Sequence, residues 1–135
     1  MAKSSGLGMT TLSVDDAAGT ARDIRNDVTE FDFTTPRADQ DVTGVDKSAR
    51  ERLLLLADFS GALKGVFNPA ANRIHDVAKT VPSTSVQRTV AMTLNGVTLN
   101  NECVLTDYSV KRAASGELTV EVPFALADGT TPTWA

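Results

Sequence analysis

One cysteine, one histidine, one tyrosine and one tryptophan are all that this chain holds of those residue types. A lone cysteine cannot form an internal disulfide, so nothing calls for an oxidising compartment. One histidine and one cysteine leave no ligand set for a zinc site and a thin inventory for acid–base catalysis. Aromatic residues amount to 5%, too few for the stacking platforms that hold bases or sugars. Positive charge is not in excess: 13 Lys and Arg stand against 17 Asp and Glu, a net charge of −4. Such a chain does not broadly attract nucleic acid, and if it meets DNA it should do so without gripping it. No apolar run approaches the length of a membrane span, and "MAKSSGLGMTTL" has no apolar signal core. Synthesis and folding in the cytoplasm, with no membrane partner, is the expectation.

What is present is ordinary globular material: 135 residues, 41% hydrophobic and 22% charged, fitting one domain over 1–135 with a real core. The most apolar stretch is "RLLLLADFSGALKGVF", residues 52–67. "SARE" before it matches a helix capping box. Four consecutive leucines, however, point all round a helix, and Gly61 and Gly65 would each cost roughly 1 kcal/mol in its interior. Counted by twos, Leu53, Leu55, Ala57, Phe59, Gly61, Leu63, Gly65 and Phe67 share one parity, while Arg52, Asp58, Ser60 and Lys64 fall on the other. Period two predicts a long strand bent at Gly61, with a hairpin at Ser60-Gly61 as the rival reading. Leu54 and Leu56 then face the second side and need cover from a helix, a loop or another subunit.

Elsewhere, "TTLSVDD" (10–16) reads as a strand and "DAAGTA" as a turn. In "ARDIRNDVTEFDFTT" the apolar parity switches between Val28 and Phe31, predicting a bulge near Thr29–Glu30. Residues 36–51 are polar and aperiodic, a loop of unusual length and hence a functional or disordered one. In "NPAANRIHDVAKTVP", Asn68 is placed to cap, Pro69 to begin and Pro82 to stop a short helix over about 70–79. The C-terminal third alternates clearly. Val90, Met92 and Leu94 lead into Asn95-Gly96, a strong hairpin signal, with Arg88 interrupting the apolar parity. Residues 104–110 alternate again, Ser115-Gly116 marks a turn, and Leu118, Val120, Val122, Phe124 and Leu126 form the last strand. Pro123 on its outward parity suggests an edge position. Trp134 has no obvious place in a private core. The sum is a mainly β chain: a β-sandwich or partial barrel of six or seven strands with one short lateral helix.

No catalytic, cofactor or metal site emerges. His75 reads as a surface or helix-packing residue and Cys103 as a small buried hydrophobe. "GLG" at 6–8 lacks the strand–helix context of a phosphate loop and reads as part of a flexible arm over 1–9. "DQDVTGVD" (39–46) suggests calcium by composition but misses the EF-hand spacing. What remains is a set of sticky parts: an arm, a long loop, a strand with two apolar faces and a terminal Trp. Unpaired strand edges are templates for another chain, and head-to-tail contacts close into rings or run on as filaments.

The segments "DIRNDVTEFDF", "DVTGVDKSARERLLLLADFSGALKGVFN", "VAKTVPSTSVQRTV" and "ECVLTDYSVKRAASGELTVEVPFALADGTTPTW" resemble the major tail tube protein of long-tailed, non-contractile bacteriophages, in the form found in phages of actinobacteria. The resemblance runs from about residue 10 to Trp134. It implies a tail-tube-like fold and a structural virion protein, not an enzyme. Hexameric rings whose sheets join into a continuous inner barrel would stack into a hollow tube for DNA ejection. The implied partners are other copies of the chain, with tape measure, tail terminator and tail tip proteins; DNA would pass without specific binding. The implied location is the virion tail, assembled in the host cytoplasm. Loop 36–51 would be the ring-to-ring contact, which makes Arg37, Asp39, Asp41, Asp46, Lys47 and Arg50 candidate subunit-interface residues; the tail 128–135 adds Trp134. The candidates for the lumen are Asp58, Asp107, Glu117 and Glu121. A contractile-tail or secretion-system inner tube subunit is one alternative, and a monomeric β-sandwich module binding a carbohydrate or peptide is another.

Overall fold

The alternating C-terminal third folds into the centre of a large antiparallel sheet. A computed structural model describes residues 3–135. Its strands are β1 (Thr11–Asp15), β2 (Ala21–Asp23), β3 (Val28–Thr34), β4 (Arg37–Asp41), β5 (Arg52–Ala57), β6 (Ser60–Val66), β7 (Arg88–Leu94), β8 (Val97–Leu105), β9 (Ser109–Arg112) and β10 (Leu118–Leu126); the helix α1 is Ile74–Ala78. The main sheet runs β2-β1-β7-β8-β10-β6-β3, with β9 also on β10, and β4-β5 form a separate two-stranded sheet. All pairings are antiparallel. Inward residues of both halves, among them Leu12, Val90, Leu99, Val122 and Leu63, join Ile74, Val77 and Ala78 of α1 in one core. A helix of five residues cannot cover eight strands. The sheet therefore curls over itself, yet β2 and β3 do not meet and no barrel closes.

Several local predictions hold. Asn95 and Gly96 both take positive φ (49° and 87°), the conformation a two-residue hairpin between β7 and β8 requires. The β3–β6 register slips between Val28 and Glu30, so Thr29 is the extra residue of a bulge. Phe59, Leu63 and Gly65 are buried on one parity, as period two demands.

Others need correction. The stretch 52–67 is neither one bent strand nor a hairpin. It breaks at Asp58–Phe59 into β5 and β6, which lie in different sheets and do not pair. Asp58 N donates to Pro36 O at 2.9 Å, and its own carboxylate accepts from Phe59 N at 2.8 Å, turning the chain as it leaves the main sheet. Residues 36–51 are not loop throughout, because Arg37–Asp41 pair with β5. The helix is narrower than 70–79 and begins at Ile74, not at Pro69. Arg73 in the cap position makes no side-chain cap bond; the carboxylate of buried Asp27, on the turn before β3, accepts from Ile74 N at 3.1 Å instead. Its other oxygen takes Asn68 Nδ2 at 2.7 Å, so Asn68 ties the incoming chain to Asp27. Arg88, which interrupts the apolar parity in the sequence, is buried on the core side. It donates to Val77 O at 2.6 Å, Thr80 Oγ1 at 2.8 Å and Asp15 O at 3.3 Å, fastening the end of α1 to β1. Desolvation lowers the pKa of its guanidinium, with Asp16 and Asp15 opposing that shift.

Pro123 is not on an edge. It pairs with Ala62 of β6 on one side. Its carbonyl accepts from Thr106 N on the other, so its nitrogen faces the same way, toward the connection between β8 and β9. There β10 changes partner, from β9 up to Glu121 to β8 from Phe124, and no ladder donor is required of it.

Gly61 and Gly65 explain how β3 lies so close to β6. A Cβ at either position would stand 2.1 Å from a backbone oxygen, of Asp32 or Asp27 respectively. Here the glycines serve close backbone approach, not a bend.

Candidate assembly surfaces

The two-stranded sheet β4-β5 is an arm that leaves the main sheet at Asp58. Its polar residues pair among themselves. Arg52 Nε lies 3.4 Å from Asp39, Arg50 bonds to Asp41, and Lys47 stands 3.8 Å from both Asp46 and Glu51. Asp41 also accepts from Thr43 N and Oγ1. Those Thr43 bonds, followed by Arg50, hold the Asp41 carboxyl below the usual aspartate range. Arg37 Nε donates to Leu55 O at 3.0 Å across the base of the arm. Thus all six charged interface candidates of 36–51 fall within one hairpin and its loop. The acidic residues of 39–46 turn toward cations already in the chain, the opposite of an open calcium cradle.

The leucines of the arm are the residues left over. Leu53, Leu54, Leu55 and Leu56 are 55%, 62%, 44% and 85% exposed. Opposite residues of an antiparallel pair share a face. Gln40↔Leu53 puts Leu53 and Leu55 with Gln40 on one side; Asp39↔Leu54 and Asp41↔Arg52 put Leu54 and Leu56 with the ion pairs on the other.

Two edges of the main sheet are also open. At one end of the molecule β9, β10, β6 and β3 form a four-stranded run bounded by β9 and β3. The solvent face of this run carries a row in register: Glu30 opposite Lys64, Lys64 opposite Glu121, Glu121 opposite Ser109. Asp32 and Lys111 stand on the same face, opposite Ala62 and Thr119. The β3 edge is therefore acidic and the β9 edge, with Lys111 and Arg112, basic. The far edge, β2, is different: three residues long, with Arg22 on Asp16 at 3.0 Å and Arg25 on Asp23 at 2.9 Å. Short, charge-paired edges discourage further pairing.

Of the four lumen candidates only Glu121 stands on this face. Asp58 is at the root of the arm, Asp107 in the β8–β9 connection accepting from Tyr108 N, and Glu117 in the β9–β10 turn. Glu30, Asp32 and Lys64 share this face with Glu121 and were not among the candidates. The signal was available in "TEFDF", where the acids take the parity opposite to Phe31 and Phe33.

The C-terminal tail lies along β8. Ala127 N donates to Glu102 O, and Ala135 and Thr98 exchange both backbone bonds at 2.8 and 2.9 Å. Trp134 is 46% exposed, with its ring 5.8 Å from that of Phe33. In the arm 1–9, residues 1 and 2 lie outside the described residues; beyond them, Asn95 Nδ2 donates to Ser5 O and Leu7 is exposed.

The reactive side chains are occupied structurally. His75 Nδ1 lies 2.9 Å from Tyr108 Oη and its ring packs 4.8 Å from Phe67. Cys103 is fully buried, and burial pushes its thiol up to about 12, where a nucleophilic thiolate does not form at neutral pH.

Neither protein-family models nor curated protein sequences match this chain. Solved structures do. A chain of the virion of a native gene transfer agent particle superposes with a TM-score of 0.69 at 17% identity, over 92% of this chain and 95% of that one. A chain from the tail of an empty gene transfer agent particle, determined by helical refinement with C6 symmetry, gives 0.68 at 17% identity over the same shares. The mainly β fold, with its open antiparallel sheets and one short helix among the described residues, is thus one also found in the tail of a gene transfer agent particle.

Proposed function

We propose that this chain is the structural subunit of a phage-like tail tube: six copies join into a ring, rings stack, and DNA passes through the bore. The observation that carries the reading is the four-stranded run β9-β10-β6-β3 with two free edges of opposite charge. Each strand is antiparallel to the next, so β9 and β3 run antiparallel to each other. A β9–β3 contact between neighbours thus continues the alternation without a break, and a head-to-tail contact that closes makes a ring. The fold shared with a C6-symmetric tail supports six as the number.

The solvent face of that run would line the bore. It presents Glu30, Asp32 and Glu121 against Lys64 and Lys111, and Lys64 is flanked in register by two carboxylates. A polyanion gains affinity from each accessible cation through counterion release; a lysine held between two glutamates offers little of that. The arm β4–β5, with Arg37, Asp39, Asp41, Asp46, Lys47 and Arg50, would reach the adjoining ring, and Trp134 a neighbour. The resemblance in sequence adds tape measure, terminator and tip proteins as partners, a non-contractile tail as the context and the virion as the location. Nothing favours a glycan-binding module: Phe59 and Phe124 are buried, and Phe31 and Phe33 face inward against the core.

Electron micrographs of the concentrated, purified protein test the reading. Rings or hollow tubes with sixfold end views are expected. A protein that stays monomeric at high concentration, folded by circular dichroism, would overturn it.

A further inference from the structure

We infer that neighbouring copies meet in one register: Asp32 of β3 stands directly opposite Lys111 of the next copy's β9, a stagger that tilts the strands about 35° from the bore axis. The inference deepens the ring reading above and rests on it.

The backbone narrows the choice first. Along a strand, N–H and C=O groups turn alternately to the two neighbours. Val66 N donates to Asp27 O, and Phe67 N to Leu118 O on the other side, so even residues of β6 address β3 and odd ones β10. Glu30, Asp32 and Thr34 pair with even residues and point back at β6, which leaves Phe31 and Phe33 with the free groups of the β3 edge. Pro123 O accepts from Thr106 N, so the odd residues of β10 address the β9 side. Ser109 and Lys111 answer them, and Val110 and Arg112 hold the free groups of the β9 edge. A bonded junction on the regular part of β3 therefore sets Phe31 or Phe33 against Val110 or Arg112. The acids and Lys111 fall at the unbonded positions, where opposed side chains stand closest.

Ring closure then selects. Ser109, Glu121, Lys64 and Glu30 form a straight row across the four strands. If the next copy's Ser109 continued that row, the ring would close without stagger, and a barrel needs tilted, staggered strands. Lys111 opposite Glu30 slips each copy by two residues over four strands, a tilt of about 20°. It also sets Arg112 against Thr29, the bulge residue, where the ladder is irregular. Lys111 opposite Asp32 slips each copy by four residues, about 35°, the ordinary inclination of barrel strands whatever the number of copies. The junction then lies wholly on regular β3: Phe33 meets Val110, a favourable aromatic and β-branched pair, and Phe31 meets Arg112. One step further, Lys111 meets Thr34 in place of an acid, and Ser109 meets Pro36, where the chain departs into β4.

The slip also has the required hand. Lys64 faces the bore and directs its backbone to β3. In a chain of L-residues this puts β3 on the right of an upward β6, seen from the bore. The four-residue slip then leans every strand to the right, seen from outside, as the right-handed twist of strands demands.

Paired cysteines in the full-length chain read the register. Asp32→Cys with Lys111→Cys places two Cα atoms about 4.5 Å apart across an unbonded pair, within disulfide reach. Glu30→Cys with Lys111→Cys, or Thr34→Cys with Lys111→Cys, leaves them diagonal at about 7–8 Å, out of reach. The native Cys103 is fully buried and takes no part. Each variant is assembled in reductant beside wild-type protein and moved to oxidised glutathione, which takes up the two electrons and two protons of each new disulfide. Denaturing gels without reductant should show a ladder of joined copies for the 32–111 pair, and only the single-cysteine background for the other two. A ladder from 30–111 or 34–111 instead overturns the register. Tubes without a ladder from any pair mean that β3 and β9 do not meet, and overturn it as well. If wild-type protein forms no tubes, the ring reading itself fails. Helical reconstruction of wild-type tubes needs no variant and gives the second readout: strands inclined about 35° to the tube axis are expected, and about 20° or less overturns the inference.

Discussion

Asp27 holds three points of the chain, two through its buried carboxylate and one through its backbone carbonyl. It receives Ile74 N and Asn68 Nδ2, and its carbonyl oxygen accepts from Val66 N at 2.9 Å beside Gly65. α1 is too short to be stable alone and has no cap within its own sequence, so this remote acceptor supplies the first-turn partner. Asp27→Ala should strand both donors in the interior and cost about 2–4 kcal/mol, read as a lower urea midpoint. Asp27→Asn keeps one acceptor and should recover roughly half of that loss. Asp41 makes the opposite case, because it lies on the surface. Its folded pKa lies below the ordinary 3.8, so the stability it lends the arm tip is present above that value. That contribution is lost as pH falls through the depressed folded value. The protection of the Thr43 and Glu51 amides against exchange, referred to the intrinsic rate at each pH, should fall in that acid range, because their N–H groups depend on Asp41 and Thr43, with β7 and β8 unaffected.

At the scale of elements, the structure shows which signals a sequence can carry. Period two and the Asn95-Gly96 pair are local, and they placed β7, β10 and the turn into β8; the alternation at 104–110, by contrast, runs across the break between β8 and β9. The bulge at Thr29 was legible because the parity of Val28 and Phe31 disagrees. The cap of α1 was not, since Asp27 and Ile74 are 47 residues apart and no spacing rule joins them. The arm failed for another reason. Leucine at 53–56 says that something will cover those positions but not whose atoms will do so, and a helix, a loop and another subunit all stood open. The same ambiguity held for Trp134, which rests partly on Phe33 and is partly open. Its tail also covers the free margin of β8 through Thr98. Deleting residues 128–135 should therefore lower the thermal midpoint by several degrees, about 1–2 kcal/mol, through lost strand bonds and aromatic contact. The truncated chain should still fold, because the buried core lies outside the tail; a random-coil circular dichroism spectrum would show that the tail belongs to the core after all.

For the whole molecule, the charge on the two free edges makes a sharper demand than their hydrogen-bonding capacity does. Any open strand can pair with any other, which is why exposed edges invite aggregation. An acidic β3 and a basic β9 favour one pairing over two wrong ones, β3 with β3 and β9 with β9, by like-charge repulsion. This can be inverted. Glu30→Gln with Asp32→Lys makes both edges of a copy basic; Lys111→Glu with Arg112→Gln makes both acidic. Each variant alone should stay folded and fail to assemble at low salt, because every neighbour repels. Mixed in equal amounts they should assemble again, since a basic β3 meets an acidic β9 at one junction and an acidic β3 meets a basic β9 at the next. Strict alternation closes only in a ring with an even number of copies, and six satisfies it. Native mass spectrometry of the mixture should show three of each variant per hexamer. Random composition, or rings from either variant alone, would mean that β3 and β9 are not the edges that meet.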